Sequence, residues 1–560
     1  MPKRLWVMGL LPLLAAACSS SGSTPPPLPP CTAASGGQVS LGVAAYTAVD
    51  PTQTMGCAVF PANPAGATIE YLVVPQSVST TPDDSQAFKL GGTVLAAPPA
   101  PGAAFVLTPA ASTAQQFDLR LRLAEREFAA QLPGPLRAPP RVAAAVTPVD
   151  SGNVRTFKVC NVLTCDPRKA STLSTVTATA LKVGTHIAIY VDNASPTPGL
   201  SQSDLDALRS VFDTRLYETD TLAFGRESDI DNNGMVIVLM TPKVNALVTA
   251  TACVTTGFVA GYFFGADLIT TAPFATGNNA EIFYSIVPDA SGSVSCQHSV
   301  SQVTGLVPVT FVHEFQHMIS FNQHFLVRAA SPEDLWLNEG LSHYAEENGG
   351  RTFLPDTTTY CNYVFGDVFN AGEYFKATDN FFLVDTAGIG GLANRGAYWL
   401  FVRFLVDQYG PALGSSDSVT RRLDHTALTG AANVSSAASG TSFGTILERW
   451  ALANYVSDLP GFTTPSELRY TTWQFRTAFP RLRATCGSSK IPTLQPLDTA
   501  THVFGPSAFA ASGMLRAGSG SYYRLQQAPG DGQFTLLFSN GAGAALRTSL
   551  APVLDVIRIQ

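Results

Sequence analysis

The chain has 560 residues, 46% of them apolar and only 13% charged, and a formal net charge of -7. This composition excludes a largely disordered chain, and with Lys and Arg scattered rather than gathered it excludes nucleic acid as the expected partner. At roughly 150 residues per domain the length points to about three domains.

Lys3 and Arg4 precede an apolar run from Leu5 to Ala17 that ends at Cys18. A charged start, a short apolar stretch and small residues before a cleavage point describe a secretory signal over residues 1–18. A membrane-spanning helix would need about 20 apolar residues. The segment LLAAAC resembles a bacterial lipoprotein signal, although Ala15 stands where Leu is more usual. The resemblance implies a lipidated Cys18, membrane attachment through it, and export to a bacterial cell envelope; a plain secretory signal is the alternative. Residues 19–30, SSSGSTPPPLPP, have the composition of a tether. Of nine cysteines, eight remain beyond Cys18, an even number that suits disulfides in an exported chain. Nearness in sequence favours Cys31 with Cys57, Cys160 with Cys165 and Cys253 with Cys296, which leaves Cys361 for Cys486.

From residue 31 to 130, short apolar runs alternate with turn residues, as in IEYLVVPQ and AAFVLTP, and FDLRLRL is apolar at every second position. The pattern predicts a β-sandwich-like domain, which a removable propeptide would also fit. The Pro-rich LPGPLRAPP lies in a linker over 131–150. The next unit, 151–486, opens with predicted strands VTATAL, THIAIYVD, MVIVLM and AEIFYSIV and a predicted helix in SQSDLDALRSVFDTRLY. Within it DIDNNG, with Asp229, Asp231 and Asn233, matches the first half of a calcium-binding EF-hand loop, but Met240 stands where the bidentate Glu belongs. A Ca2+ turn and an ordinary Asn-Gly turn into a strand are the two readings.

Residues 307–326, VPVTFVHEFQHMISFNQHFL, predict a helix with Pro308 in its first turn. Four residues of helix bring His313 and His317 to one face, about 6 Å apart along the axis, where both can bind one zinc ion. Glu314 lies beside His313 and can reach the same cleft as a general base, the arrangement of an H-E-x-x-H metallopeptidase helix. His324 shares the face of His317 but lies about 10 Å further along, too far to join the same ion. The next predicted helix, SPEDLWLNEGLSHYAEENGG, has Ser331 as N-cap, Pro332 in its first turn, Asp334 completing the cap, and Asn348-Gly349-Gly350 as its end. Glu339 falls mid-helix in apolar surroundings, a costly place for a carboxylate unless it is paired or holds metal. It is the candidate third ligand of a hydrolytic zinc site. Helices dominate to about residue 460, and 487–560 returns to β runs (YYRLQQA, FTLLFS, VLDVIRIQ), a C-terminal β domain. Strands first and helices afterwards make an α+β chain.

HEFQH followed by WLNEGLSHYAE resembles the gluzincin group of zinc peptidases, and HEFQHM with LNEGLSHYAE is most similar to the hyicolysin-type neutral metallopeptidases. Over about 150 to 460 the resemblance implies a zincin-like catalytic domain, a mixed sheet above the cleft and helices below it, flanked by the β-rich ends. It implies a Zn2+ cofactor and a protein or peptide substrate. No amine-binding G-A-M-E-N-like strand precedes His313. The nearest segment, NNAEIFYSI, puts Glu281 on an expected edge strand that could pair with an extended substrate, which favours an endopeptidase over an aminopeptidase. In LANRGAYWL, Ala393 stands where aminopeptidases keep an oxyanion-stabilising Tyr, so Tyr398 is the candidate. His343 takes the place where thermolysin relatives keep a His-orienting Asp, and its role stays open. The rival reading is a non-catalytic surface lipoprotein that binds a partner on an inactive zincin scaffold; the complete ligand set and the base count against it.

Overall fold

In the computed structural model the described residues are 26–64, 66–92, 112–132, 149–386, 391–505 and 509–560. The signal segment, Cys18, AAFVLTP and most of the tether and of the Pro-rich linker lie outside them. No helix among the described residues is long and apolar enough to cross a membrane.

Four strands precede the central unit: β1 (Tyr46–Val49), β2 (Cys57–Phe60), β3 (Ile69–Ser77) and β4 (Ser85–Gly92). The FDLRLRL segment is not a strand. It lies in helix α1 (Thr113–Gln131), started by a capping box between Ser112 and Gln115. Phe117, Leu121 and Phe128 are buried together with Asp118, Arg122 and Glu125, while Leu123 is exposed. Apolar residues at every second position thus split between two helix faces, and the cap and the charged residues at helical spacing decide the outcome.

The central unit carries β5 (Val154–Cys160), β6 (Leu173–Val183), β7 (Ile187–Asp192), β8 (Val236–Met240), β9 (Gly261–Phe263) and β10 (Ile282–Ser285), in the sheet order β5-β6-β7-β8-β10-β9. β7, β8 and β10 run parallel, and β9 is an antiparallel edge strand on β10. The edge is therefore β9, and AEIFYSIV supplies an interior strand. VIVLM of β8 is buried throughout, as a strand covered on both faces must be. Helix α2 (Gln202–Val211), capped by Ser201 as its sequence predicts, packs on this sheet.

Two long helices follow. α3 (Val300–Phe321) is started by a capping box between Ser299 and Gln302, so Pro308 sits inside the helix rather than in its first turn. α4 (Leu335–Arg351) begins at Asp334 rather than Ser331. Glu333 folds inward to accept from Gly430 N and Asn433 Nδ2, which draws the preceding residues away from the helix. α4 also runs on through Gly349-Gly350. A Cβ on Gly350 would lie 2.7 Å from Tyr363 Cβ, so this glycine serves close packing against α5 (Thr357–Phe375) rather than ending the helix. α6 (Leu392–Tyr409) completes the packing around α4, anchored by buried Glu347, which accepts from Trp399 Nε1 and Trp473 Nε1.

The C-terminal strands are β11 (His502–Phe504), β12 (Ala510–Arg516), β13 (Tyr523–Gln527), β14 (Phe534–Asn540) and β15 (Pro552–Arg558). They form no separate sheet. They interleave with the N-terminal strands in two sheets, β1-β15-β3-β13-β11 and β12-β4-β14-β2. The two expected flanking β regions thus share one sandwich, with Phe60, Tyr71, Val73, Phe88, Leu536 and Val556 in its core. From β3, Leu72 and Val74 point the other way, into the core of the helical body. Disulfides join Cys31 to Cys57, Cys160 to Cys165 and Cys253 to Cys296, the pairs that sequence proximity favours, and Cys361 to Cys486, the pair that these leave.

Candidate metal centre

His313 and His317 project from α3 toward Glu339 on α4. His317 Nε2 lies 3.3 Å and His313 Nε2 3.8 Å from the Glu339 carboxylate, and the three residues bring ligand atoms within 4.8 Å of one another. All three are buried, and neither Glu339 oxygen meets a well-aligned hydrogen-bond donor among the described residues. Burial would raise the Glu339 carboxyl, but Arg395 and His313 outweigh it and hold it down to about 2, so it is ionised. Burial, Arg122 and His313 push His317 well below its ordinary value, so its imidazole is neutral. An ionised carboxylate and a neutral imidazole brought together in this way fit a divalent metal such as zinc.

The surroundings orient these groups. Glu346 Oε1 lies 2.7 Å from His313 Nδ1, which turns Nε2 toward Glu339. His343 does not touch a ligand through a carboxylate of its own; it sits 3.3 Å from Glu346 and 3.0 Å from Asp367. Burial opposes charge on His343, but Glu346 and then Asp367 overcome it and push the imidazole up to about 10. Ser342 Oγ lies 3.1 Å from His317 Nδ1. Arg395 of α6 pairs with Glu339 at 3.0 Å.

Glu314 lies beside the ligands. Its Oε2 accepts from Phe263 N of edge strand β9 at 3.0 Å, and burial followed by the Asp118 charge raises its carboxyl well above the ordinary range. The site also contains side chains that no motif announces: Asp118 and Arg122 of α1, Glu346 and Arg395. Asp118 shares a potential metal-binding group with Glu314 and His317. Its signal in the sequence was Asp118, Arg122 and Glu125 at helical spacing behind a Ser-x-x-Gln cap.

Tyr398 is buried, and its hydroxyl donates to Asp385 Oδ2 at 2.6 Å. Glu281 is no edge-strand substrate contact: it is buried and accepts from Ser228 Oγ and Ile230 N at 2.9 Å for the latter, ahead of an interior strand. His324 is buried away from the centre with Nε2 3.1 Å from Leu423 O. Asp229, Asp231 and Asn233 form a turn in which Gly234 N donates to Asp229 at 3.0 Å and Arg155 to Asp231 at 2.9 Å. Glu281 lies close enough to join Asp229 and Asp231, but an ion there would compete with Arg155.

No family model matches the chain. Over 136 residues it is 29% identical to the neutral metalloprotease ShpI of Staphylococcus hyicus, a stretch that is 24% of this chain and 28% of that protein. The chain thus aligns with little more than a quarter of the length of this relative. The similarity supports a distant metallopeptidase relationship, and the several disulfides fit an exported protein.

Proposed function

We propose that this protein is a zinc-dependent metalloendopeptidase with a zincin-like catalytic domain, exported and tethered through a lipidated Cys18. The reading rests above all on the convergence of His313, His317 and Glu339 with Glu314 alongside. Zinc bound there would supply Lewis acidity toward the scissile carbonyl and the attacking water. Glu314 takes the proton of that water and passes it to the leaving amine, a role favoured by its place beside His313 and His317. β9 is the end of the sheet order that packs against α3, an edge with which an extended substrate backbone could pair. That placement, with no amine-binding motif before His313, supports internal cleavage of proteins or peptides. The Tyr398 hydroxyl spends its hydrogen bond on Asp385, so Arg395, a fixed cation beside Glu339, is the better placed stabiliser of negative charge on the substrate oxygen.

Glu314→Gln tests the assignment. It should retain stoichiometric zinc and lose peptide hydrolysis by a factor of about 10² or more. Undiminished hydrolysis by that variant would reject Glu314 as the base. Mass measurement of the mature N-terminus checks lipidation of Cys18: a free, unmodified Cys18 or a start beyond it counts against the tether.

A further inference from the structure

The buried face of α1 is not the apolar stripe of a scaffold helix. Gln115, Asp118, Arg122 and Glu125 are turned inward alongside Phe117 and Leu121. Burying that row is unfavourable unless each group meets a partner: Gln115 closes the capping box with Ser112, Arg122 pairs within the helix with Asp118 at 3.4 Å and Glu125 at 3.0 Å, and the remaining partners belong to the metal centre and to β9 and the residues after it. Asp118 brings a carboxylate oxygen to the cluster of Glu314 and His317, and it also pairs with Arg122 at 3.4 Å and with Arg395 at 3.3 Å. Arg122 donates to Phe263 O, and Glu125 accepts from Gly265 N at 2.6 Å. A Cβ on Gly265 would lie 3.0 Å from that Glu125 oxygen, so the glycine admits the carboxylate.

Phe263 N is already taken by Glu314. The backbone groups of Phe263 and Gly265 that an extended peptide would need are therefore held by α1 and by the base. A cavity among Asp118, Leu335, Glu339, Arg395 and Tyr398 measures about 10 Å³. That is room for about one water and not for a peptide.

We propose that Asp118 is a fourth ligand to the metal and that α1 holds the enzyme latent by lying where substrate would lie along β9. This rests on the zinc-peptidase reading. It gives the open ligand position of a hydrolytic zinc site an occupant from within the chain, between β4 and β5. Removing the strands before α1 as a simple propeptide would strip β3 and β4 from the C-terminal strands they pair with, so the proposed release acts on α1 alone. Release requires α1 itself to leave the cleft. Arg126, which pairs with Asp334 at the start of α4 at 2.9 Å, is a latch remote from the ligands.

The test uses the zinc-loaded full chain, with zinc content measured for every variant. Two readouts are taken: anisotropy of a fluorescent peptide hydroxamate, which needs an open metal position, and hydrolysis of fluorogenic casein. If α1 leaves the cleft in about 1% of molecules, Asp118→Ala should bind the hydroxamate up to about 100-fold more tightly than the parent at equal zinc content. Casein hydrolysis should rise in parallel, Asp118→Asn should do the same to a smaller extent, and Arg126→Ala should show a rise of a few-fold in both readouts. Arg126→Ala and Asp118→Asn decide the matter if Asp118→Ala does not fold. Parent and variants binding the hydroxamate equally, each with one zinc, would overturn the proposal while casein cleavage keeps the peptidase reading. Absence of bound zinc from the parent and every variant would overturn both.

Discussion

Glu346 shows how the centre is steered at the level of single residues. From its resemblance, the position of His343 is where a carboxylate should orient a metal-binding histidine, yet His343 is an imidazole pinned between two carboxyls. The orienting group is Glu346, one turn further along α4, 2.7 Å from His313 Nδ1. His343, held charged by Glu346 and Asp367, in turn fixes Glu346. Glu346→Gln should therefore lower zinc affinity about 10- to 100-fold, measured by competition with a chromogenic chelator, with hydrolysis recovered at excess zinc. Unchanged affinity would mean that His313 needs no such partner. That His313, His317 and Glu339 come together was legible in the sequence, because a four-residue helical spacing and a mid-helix acid on the next helix are local patterns. Glu346 lay within the quoted segment, but only the facing of α3 and α4 shows that it meets His313. Arg395 and Asp118 come from elements distant in sequence and left no comparable mark.

At the level of elements, two of the expected assignments changed, and both bear on the cleft. FDLRLRL forms α1 rather than a strand, because period-two alternation over a few residues yields to a capping box and an acid-base-acid row at helical spacing. AEIFYSIV forms a strand as expected, but β9, only three residues long, takes the edge outside it. A strand that short carries too little periodicity to be read from sequence. The consequence falls on Glu281, which is enclosed rather than facing substrate. Burial pushes its carboxyl up to about 8, against the weaker opposing pull of Ser228 and Ile230. The folded protein therefore keeps a proton there that the unfolded chain releases. The stabilising contribution of this group is complete below the unfolded pKa of about 4.5 and is lost as pH rises through about 8. Glu281→Gln, which has no charge to gain, should show a smaller fall in Tm between about pH 5 and about pH 8.5 than the parent, by calorimetry. An identical fall in the two proteins would remove Glu281 as its source.

At the scale of the whole molecule, the two ends of the chain are one structure. Short apolar runs identified β3, β13, β14 and β15 among the terminal strands, but they carry no information on which strand lies beside which, and the partners here are separated by most of the chain. β3 lies between β13 and β15, so each end supplies the neighbours of the other. The sandwich is also fastened to the helical body: Thr378 Oγ1 donates to Gly520 O at 2.6 Å, Leu383 N to Ala517 O at 3.1 Å and Tyr522 OH to Ala451 O at 2.8 Å. A chain ending at Cys486 would keep all four disulfides and the entire metal centre, yet it would strip both neighbours from β3. Leu525, Leu536, Phe538, Leu554, Val556 and Ile557 are all buried. At about 1.5–3 kcal/mol for each lost side chain, their removal matches the ~5–15 kcal/mol that holds a typical domain together. The truncated chain should therefore lose its near-ultraviolet circular dichroism and bind a hydrophobic dye, or fail to accumulate in soluble form. If it instead unfolds cooperatively and holds zinc like the full chain, the catalytic unit stands alone and the sandwich is an appendage. The interleaved pairing and the cross-links to the helical body argue for the first outcome, because no cut between the two units leaves either with a complete sheet.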